Sequence, residues 1–292
     1  MSKTNFFNYI YKYSYLKIED WSYIINKYTE ESRHIEISKK VNEIIFKLNK
    51  SMKLNYSSII IKSMIFFHKY YLYNLYEKNQ FVLDNSKVAI IAVTCFLIAT
   101  KSFDIKIRID NILDYSYKCD ILEKNRNQKN KEELLLYENE ILCVIGFNAL
   151  DYKFNYAYSC NILNDIFKSL KIDIKDSSTL QKVKEYFLLF IRCSFVFPFF
   201  LNYSPRSLAL GCINLLFKQF FPNRANQIWN IKEYSDIRMD IINFTNLFEQ
   251  IFIRTQVNTN NFNNIANNTN NTNDEEKNEI NFEIIRTIST NI

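Results

Sequence analysis

The side chains that most often do chemistry in enzymes are few and scattered in this sequence. Only two histidines occur, His34 and His68, and because His68 lies within the aromatic segment MIFFHKYY we expect a packed ring there. Glu138 and Glu140 in the segment YENE resemble a carboxylate pair, but residues two apart on a helix point in different directions. The sequence therefore does not indicate a pair of residues for general acid and base catalysis.

Phosphate-binding loops and metal sites are not indicated either. The chain has 2 glycines, too few for the Gly-rich loops that cradle phosphates. Its 6 cysteines lie far apart, without a CxxC pair or a Cys/His cluster, so we expect buried, reduced thiols. No catalytic residue, metal or other cofactor is predicted, and the protein is not expected to be an enzyme.

The composition favours a helical protein of the nucleus or cytoplasm. Gly and Pro are scarce, which argues against β-sandwiches and Rossmann units, and the hydrophobic content of 48% is enough for two cores. Residues 1–10 lack the pattern of a secretory signal, and the apolar residues 187–201 are too few to span a membrane. The net charge of +6 is spread along the chain, so no direct contact with nucleic acid is expected.

Apolar residues at spacings of three and four predict five helices in each half of the chain. The first five are predicted at residues 33–48, 57–73, 84–101, 109–117 and 132–146, with a solvated loop at 124–131 and Gly146 as a helix stop. The second five are predicted at residues 155–170, 179–195, 204–220, around 229 and at 236–253.

The two ends of the chain differ from these halves. Residues 5–27 are rich in aromatic side chains and predict an amphipathic helical extension before the first domain. The Asn-rich tail after Arg254 has little apolar surface to bury, so we expect it to be disordered, although its last stretch, INFEIIRTI, could form a short docking helix. The predicted domains are thus an extension at 1–32, a first domain at 33–150, a second at 151–254 and a tail at 255–292.

The third helix of each half is expected to lie at the centre of its domain. The segments SKVAIIAVTCFL and PRSLALGCINLL can be aligned so that Ala89 matches Ala209 and Ala92 matches Cys212. Small residues at the same two places allow neighbouring helices to approach closely. This internal similarity favours two related domains.

Several segments, in this order and spacing, resemble the cyclins. LNYSSIIIKSMIFFHKYY is similar to the second helix of a cyclin box, VAIIAVTCFLIATK to the third and LLLYENEILCVIGFNAL to the fifth. FLNYSPRSLALGCINLL resembles the start of the third helix of a second box, especially in the transcription-associated H, C, K and T types. The resemblance implies an all-α fold of two tandem five-helix cyclin boxes with an N-terminal helical extension.

The resemblance also implies a surface that binds a cyclin-dependent kinase. The family's lysine and glutamate correspond to Lys101 and Glu138, which in cyclins reach the kinase backbone at its regulatory helix and the neighbouring loop. A lysine can donate to free carbonyl groups, and a carboxylate can accept from free N–H groups. Asp104 matches one acid of the family pattern after the lysine, and Phe103 and Phe147 are expected on an apolar platform.

The implied function is regulation of a protein kinase in transcription or in kinase-activating control. A kinase is competent when the glutamate of its regulatory helix pairs with the lysine that holds the ATP phosphates, and a bound cyclin favours that arrangement. The first helix lacks the MRAIL-like stretch with which cell-cycle cyclins recruit substrates. Which kinase is bound, and whether a third assembly subunit joins, stay open.

Two other functions stay open at this stage. A general transcription factor core of the TFIIB kind also pairs two cyclin-like domains, but it binds DNA and polymerase and normally follows a zinc ribbon. A scaffold with the cyclin fold but without kinase activation is the second alternative, because Leu97 and Ser102 depart from the family pattern.

Overall fold

The computed structural model describes residues 32–54, 57–78, 83–146, 156–172, 174, 177–201 and 203–249. These residues form helices and contain no strand, which confirms the all-α prediction. Short 3₁₀ segments lie at Lys124–Arg126, Pro198–Leu201, Pro222–Asn230 and Lys232–Tyr234. The α-helices are α1 (Ser32–Ser51), α2 (Ser57–Lys78), α3 (Asn85–Ser102), α4 (Ile109–Lys118), α5 (Asn127–Val144), α6 (Tyr156–Ser169), α7 (Ser177–Val196), α8 (Pro205–Phe220) and α9 (residues 238–249).

The chain divides into two compact units that are not continuous in sequence. The first unit is Met1–Tyr156 together with Phe195–Pro205, and the second is Ala157–Ser194 together with Arg206–Ile292. The segment Phe195–Pro205, which includes the end of α7 and the 3₁₀ turn Pro198–Leu201, therefore belongs to the first unit. The finer assignment of each unit as a cyclin box stays a prediction.

Helix α3 is the core helix of the first unit, as its sequence predicts. Every residue from Val88 to Thr100 is buried, and α3 packs against α1, α2, α4 and α5. By length and composition α3 would also suit a membrane span, but burial of 72% of the helix by its own neighbours is typical of a core helix. The side chain of Asp84 caps its first turn by accepting a hydrogen bond of 2.8 Å from the Lys87 amide.

The start of α5 corrects the sequence prediction. Residues 124–131 were expected to form a solvated loop, but they form a 3₁₀ turn and the first residues of α5. The buried Asn130 anchors this stretch because its amide donates to the Glu123 carbonyl at 2.9 Å. Polar pairs one turn apart also support the helix, for example Gln128 with Glu132 at 2.7 Å. At the other end, Gly146 adopts a left-handed φ of 66°, which confirms the predicted stop.

Helix α8 has the corresponding place in the second unit. All residues from Ser207 to Phe217 are buried, including Gly211 in the middle of the helix. A Cβ atom added to Gly211 would lie 2.1 Å from Cδ1 of Phe244 on α9, so the glycine allows the aromatic ring to approach the α8 backbone. The Asn214 amide donates to the Thr245 hydroxyl at 3.1 Å and joins the same two helices.

Several predictions fall on residues outside those that the structure describes. These are residues 1–31 of the predicted N-terminal extension, the Asn-rich tail at 255–292 and the site residue Phe147.

Candidate partner-binding site

Two helices of the first unit bring Lys101 and Glu138 together. Lys101 lies in the last turn of α3, where a positive charge interacts favourably with the helix dipole, and Glu138 lies in the second half of α5. The Nζ atom of Lys101 is 2.5 Å from Oε1 of Glu138, although 37 residues separate the two in sequence. The lysine side chain is 48% exposed and the glutamate side chain 12%, so the ammonium group is the part of the pair that solvent reaches.

The turn after α3 places the next two predicted residues at the surface. The amide of Asp104 donates to the Lys101 carbonyl and the amide of Ile105 donates to the Thr100 carbonyl, which is the Schellman pattern of a helix end. Asp104 adopts the left-handed backbone conformation that this helix end requires, with φ of 58°. Phe103 occupies the C-cap position, and 44% of its surface is exposed. Helix capping thus holds an aromatic ring in solvent two residues after the lysine.

Glu140 has a different role from Glu138, as the spacing on the helix predicts. Its Oε2 atom accepts a hydrogen bond of 2.7 Å from the hydroxyl of Tyr70 on α2. Burial and this hydrogen bond raise the pKa of Tyr70, so the hydroxyl stays protonated and keeps donating. The Tyr137 ring packs edge-on against Tyr70, with 6.3 Å between centroids. Glu140 therefore fixes α5 against α2, whereas Glu138 forms the ion pair with Lys101.

A second ion pair determines the path of the chain after α3. At the start of α4, Oδ1 of Asp110 lies 2.7 Å from Nζ of Lys131 on α5. The segment from Lys101 to Asp110 is therefore fixed to α5 at Glu138 and at Lys131, which lie about 10 Å apart along the helix axis. Leu135 lies between them on the same face, at a spacing of four and then three residues, and is 42% exposed.

The surface also includes Leu135 and Leu136, for which the apolar pattern of the sequence predicts the buried side of the helix; that prediction is wrong, because both side chains are exposed. Leu135 and its neighbour Leu136, which is 56% exposed, are apolar and sit on the helix that carries Glu138. The structure therefore places Glu138 against Lys101, whose sequence neighbours Phe103 and Asp104 lie in the turn that follows, and α5 adds exposed apolar side chains. Adjacent leucines in an exposed helix could have indicated this surface, but the sequence does not say which helix face stays uncovered.

The two histidines form a buried cluster away from this surface. His68 on α2 is fully buried, which confirms the packed ring, and its Nε2 donates to the Phe195 carbonyl at 3.2 Å. Its ring centroid lies 5.6 Å from that of His34 on α1, and Ser38 Oγ lies 3.4 Å from His34 Nε2. Burial lowers the pKa of His68 to about 4 and that of His34 well below its usual value, with the other histidine adding to the effect at His34. Both rings are therefore neutral at pH 7 and serve packing.

The described residues offer no group of three potential metal ligands among His, Cys, Asp and Glu. The six cysteines are free, but only Cys95, Cys193 and Cys212 are buried as expected, whereas the other three are half-buried. Burial raises the pKa of Cys95 and of Cys212, so these thiols are protonated at neutral pH. What the site can do chemically is recognition. It presents one exposed ammonium group, one mostly buried carboxylate and exposed apolar side chains.

Comparison with protein-family models gives no match for this chain, and a search of curated proteins also finds no match. The family resemblance therefore rests on the quoted segments and on the residues of this surface.

Proposed function

We propose that this protein is a cyclin-like regulatory subunit that binds and activates a cyclin-dependent protein kinase, with a role in transcription or kinase-activating control. The observation that supports the proposal best is the ion pair between Lys101 and Glu138 beside the exposed ring of Phe103. These residues correspond to the lysine and glutamate with which cyclins reach the kinase backbone.

The ion pair can change partners at little cost in free energy. The Lys101 side chain is exposed to solvent, and ion pairs that solvent reaches contribute about 0–1 kcal/mol, whereas a complex with a Kd of 1 μM has a binding free energy of about −8 kcal/mol. On binding, the Lys101 ammonium group would donate to free carbonyl groups at a helix end of the kinase, and Glu138 would accept from free N–H groups. In the free protein each group keeps the other in place, which reduces the side-chain entropy lost on binding.

Polar contacts alone are too weak to change the conformation of a kinase. Converting a state populated at 1% into one populated at 99% requires about 5.5 kcal/mol of differential binding. Full burial of a Phe or Leu side chain contributes about 1.5–3 kcal/mol, so Phe103 with Leu135 and Leu136 could supply most of this free energy. In this proposal Lys101 and Glu138 determine how the kinase is positioned on this surface, and the apolar side chains contribute most of the binding free energy.

The test is a comparison of two double variants of the full chain, purified from its own cells with any bound kinase. Lys101→Ala with Glu138→Ala should keep the helical fold and lose about 100-fold in kinase affinity, together with kinase stimulation. Lys218→Ala with Glu249→Ala is the matched control, because it removes an ion pair of 2.8 Å in the second unit. Unchanged stimulation by the first variant would contradict the proposal.

The same preparations separate the alternatives. A complex in which the kinase is bound but not stimulated, by the unmodified protein as well, would identify a scaffold. Binding to DNA that weakens steeply with salt concentration, without kinase activity, would identify a transcription factor core of the TFIIB kind.

A further inference from the structure

The segment between α3 and α4 carries two exposed cations that the rest of the described structure does not neutralise. Lysines elsewhere in the first unit form ion pairs with Asp or Glu, namely Lys47, Lys87, Lys101, Lys129 and Lys131. Over the residues that the structure describes, neither Lys106 nor Arg108 has such a partner, and both are exposed. They alternate with the half-buried Ile105 and Ile107, so both cations point to the same side of the segment.

Exposed apolar side chains lie beside these cations. Phe103 begins the segment, and Leu135 lies on the α5 face along which the segment runs between its two ion pairs. We refer to Phe103, Lys106, Arg108 and Leu135 as the basic strip. A ligand that fits the basic strip carries acidic and apolar side chains close together, as a short peptide can.

The tail of this same chain has a segment of that composition. Residues 274–283, DEEKNEINFE, contain five acids and one lysine, a net charge of −4 in a chain whose overall charge is +6. The apolar residues Ile280, Phe282, Ile284 and Ile285 begin within the acidic stretch and follow it. We propose that residues 274–285 bind the basic strip of their own chain, with the acids on Lys106 and Arg108 and the apolar residues on Phe103 and Leu135.

The length of the intervening chain permits this contact. The described residues end at Glu249, and about 25 residues separate it from Asp274, which reach up to about 80 Å when extended. Tethering also raises the effective concentration of the tail to about the millimolar range, so a weak contact is enough for occupancy.

Occupancy of the basic strip would regulate the proposed kinase site. The tail would cover Phe103 and lie beside Lys101, so it would compete with the kinase. This consequence rests on the proposed function, whereas the contact itself does not. The experiment below therefore measures the contact, and its failure would leave the proposed function standing.

The test is zero-length carbodiimide cross-linking of the full chain, with the linked peptides identified by mass spectrometry. Carbodiimide joins a lysine amine to a carboxylate in direct contact. We expect a link between Lys106 and Glu275, Glu276 or Glu279 at low salt, with a yield that falls as salt screens exposed charges. Replacing Lys106 and Arg108 by Glu should reduce all links from the tail to the first unit by about tenfold, the effect of 1.4 kcal/mol.

The matched control is Lys124→Glu with Arg126→Glu. It makes the same change of charge, at the same spacing, elsewhere in the first unit. This control should leave the link to Lys106 unchanged. Equal loss in both variants, or tail links spread evenly over exposed lysines, would overturn the proposal. A mixture of ¹⁵N-labelled and unlabelled chains completes the test, because links between the two isotopes would mean that a second copy of the chain is the occupant.

Discussion

Both units have an ion pair at the end of the core helix, but the chain that follows the helix differs, and the ring of Phe103 is exposed after α3. In the last turn of α3, Lys101 pairs with Glu138 of α5, and in the last turn of α8, Lys218 pairs with Glu249 of α9. The distances are 2.5 and 2.8 Å, and the lysines are 48% and 42% exposed. The ion pair by itself therefore does not mark a partner surface.

The units differ in how the chain leaves the core helix. After α3, the left-handed Asp104 reverses the chain and leaves Phe103 in solvent. After α8, Pro222 begins a 3₁₀ segment, and the aromatic residues before it pack inward. Phe220 lies 5.1 Å from Tyr186 and Phe221 lies 5.9 Å from Phe167, measured between ring centroids. The difference indicates that the turn after the lysine, more than the lysine itself, distinguishes the surface of the first unit, and the proposed function therefore depends on that turn.

Acid should weaken the first unit more than the second. Both histidines of the chain are in the first unit, and the folded state lowers the pKa of His68 from 6.5 to about 4. Because the folded state favours the neutral ring, its contribution is complete above pH 6.5 and is lost as the pH falls toward 4. The loss is about 3 kcal/mol for His68 alone, with a further loss of the same sign from His34.

Hydrogen exchange at pH 7, 5.5 and 4, corrected for intrinsic rates, measures this difference. Peptides of α2 should lose protection before peptides of α8. His68→Gln, which keeps an N–H donor for the Phe195 carbonyl but does not titrate, should reduce the difference. Parallel loss of protection in α2 and α8 would contradict the prediction.

Substitution of Gly211 should affect the core of the second unit strongly. Gly211→Ala places a Cβ atom against the Phe244 ring and should lower the free energy of unfolding by about 2 kcal/mol. In α3, Ala92→Gly should cost about 1–2 kcal/mol, because the unfolded chain gains backbone entropy and the buried methyl group of Ala92 is lost. Urea denaturation measures both values, and Phe244→Leu should recover part of the loss in the Gly211→Ala background. A Gly211→Ala protein as stable as the parent would show that the two helices can separate freely.

The smallest effects on stability are expected where the two units differ at the surface. Phe221→Ala should lower the free energy of unfolding by about 1–2 kcal/mol because the ring packs against Phe167 and Phe217. Phe103→Ala should change it by less than about 0.5 kcal/mol and yet weaken partner binding by about 2 kcal/mol. Thermal unfolding and titration of the kinase measure the two quantities. If Phe103→Ala lowered the free energy of unfolding but left the affinity for the kinase unchanged, Phe103 would be a packing residue like Phe221, and the two units would not differ in this respect.

Much of the fold could be predicted because burial leaves a clear pattern in the sequence. The continuous apolar run of α3, its cap at Asp84 and the stop at Gly146 are local signals that the structure confirms. The start of α5 was missed because its residues are polar, and the Asn130 side chain that anchors them donates to the Glu123 carbonyl, seven residues earlier and before the helix begins. A pattern of apolar residues carries no sign of such a polar contact.

Only part of the candidate site could be predicted, because its contacts also join residues of different helices. Lys101 and Glu138 were singled out through the family resemblance, whereas their contact depends on the packing of α3 against α5. The basic strip could not be predicted, because the ion pair between Asp110 and Lys131 that directs the segment joins residues of two helices. Gly211 also gave no signal of the Phe244 ring that requires it.

The membership of Phe195–Pro205 in the first unit has a consequence for how this protein is made. A ribosome completes residues 1–156 well before it reaches Pro205. The first unit therefore emerges without the segment Phe195–Pro205, and His68 lacks the Phe195 carbonyl to which it donates a hydrogen bond. At about 5–20 residues per second, the roughly 50 residues in between take about 3–10 seconds to synthesise. During that interval the His68 side of the nascent unit is uncovered, and it is closed only when most of α7 has been added.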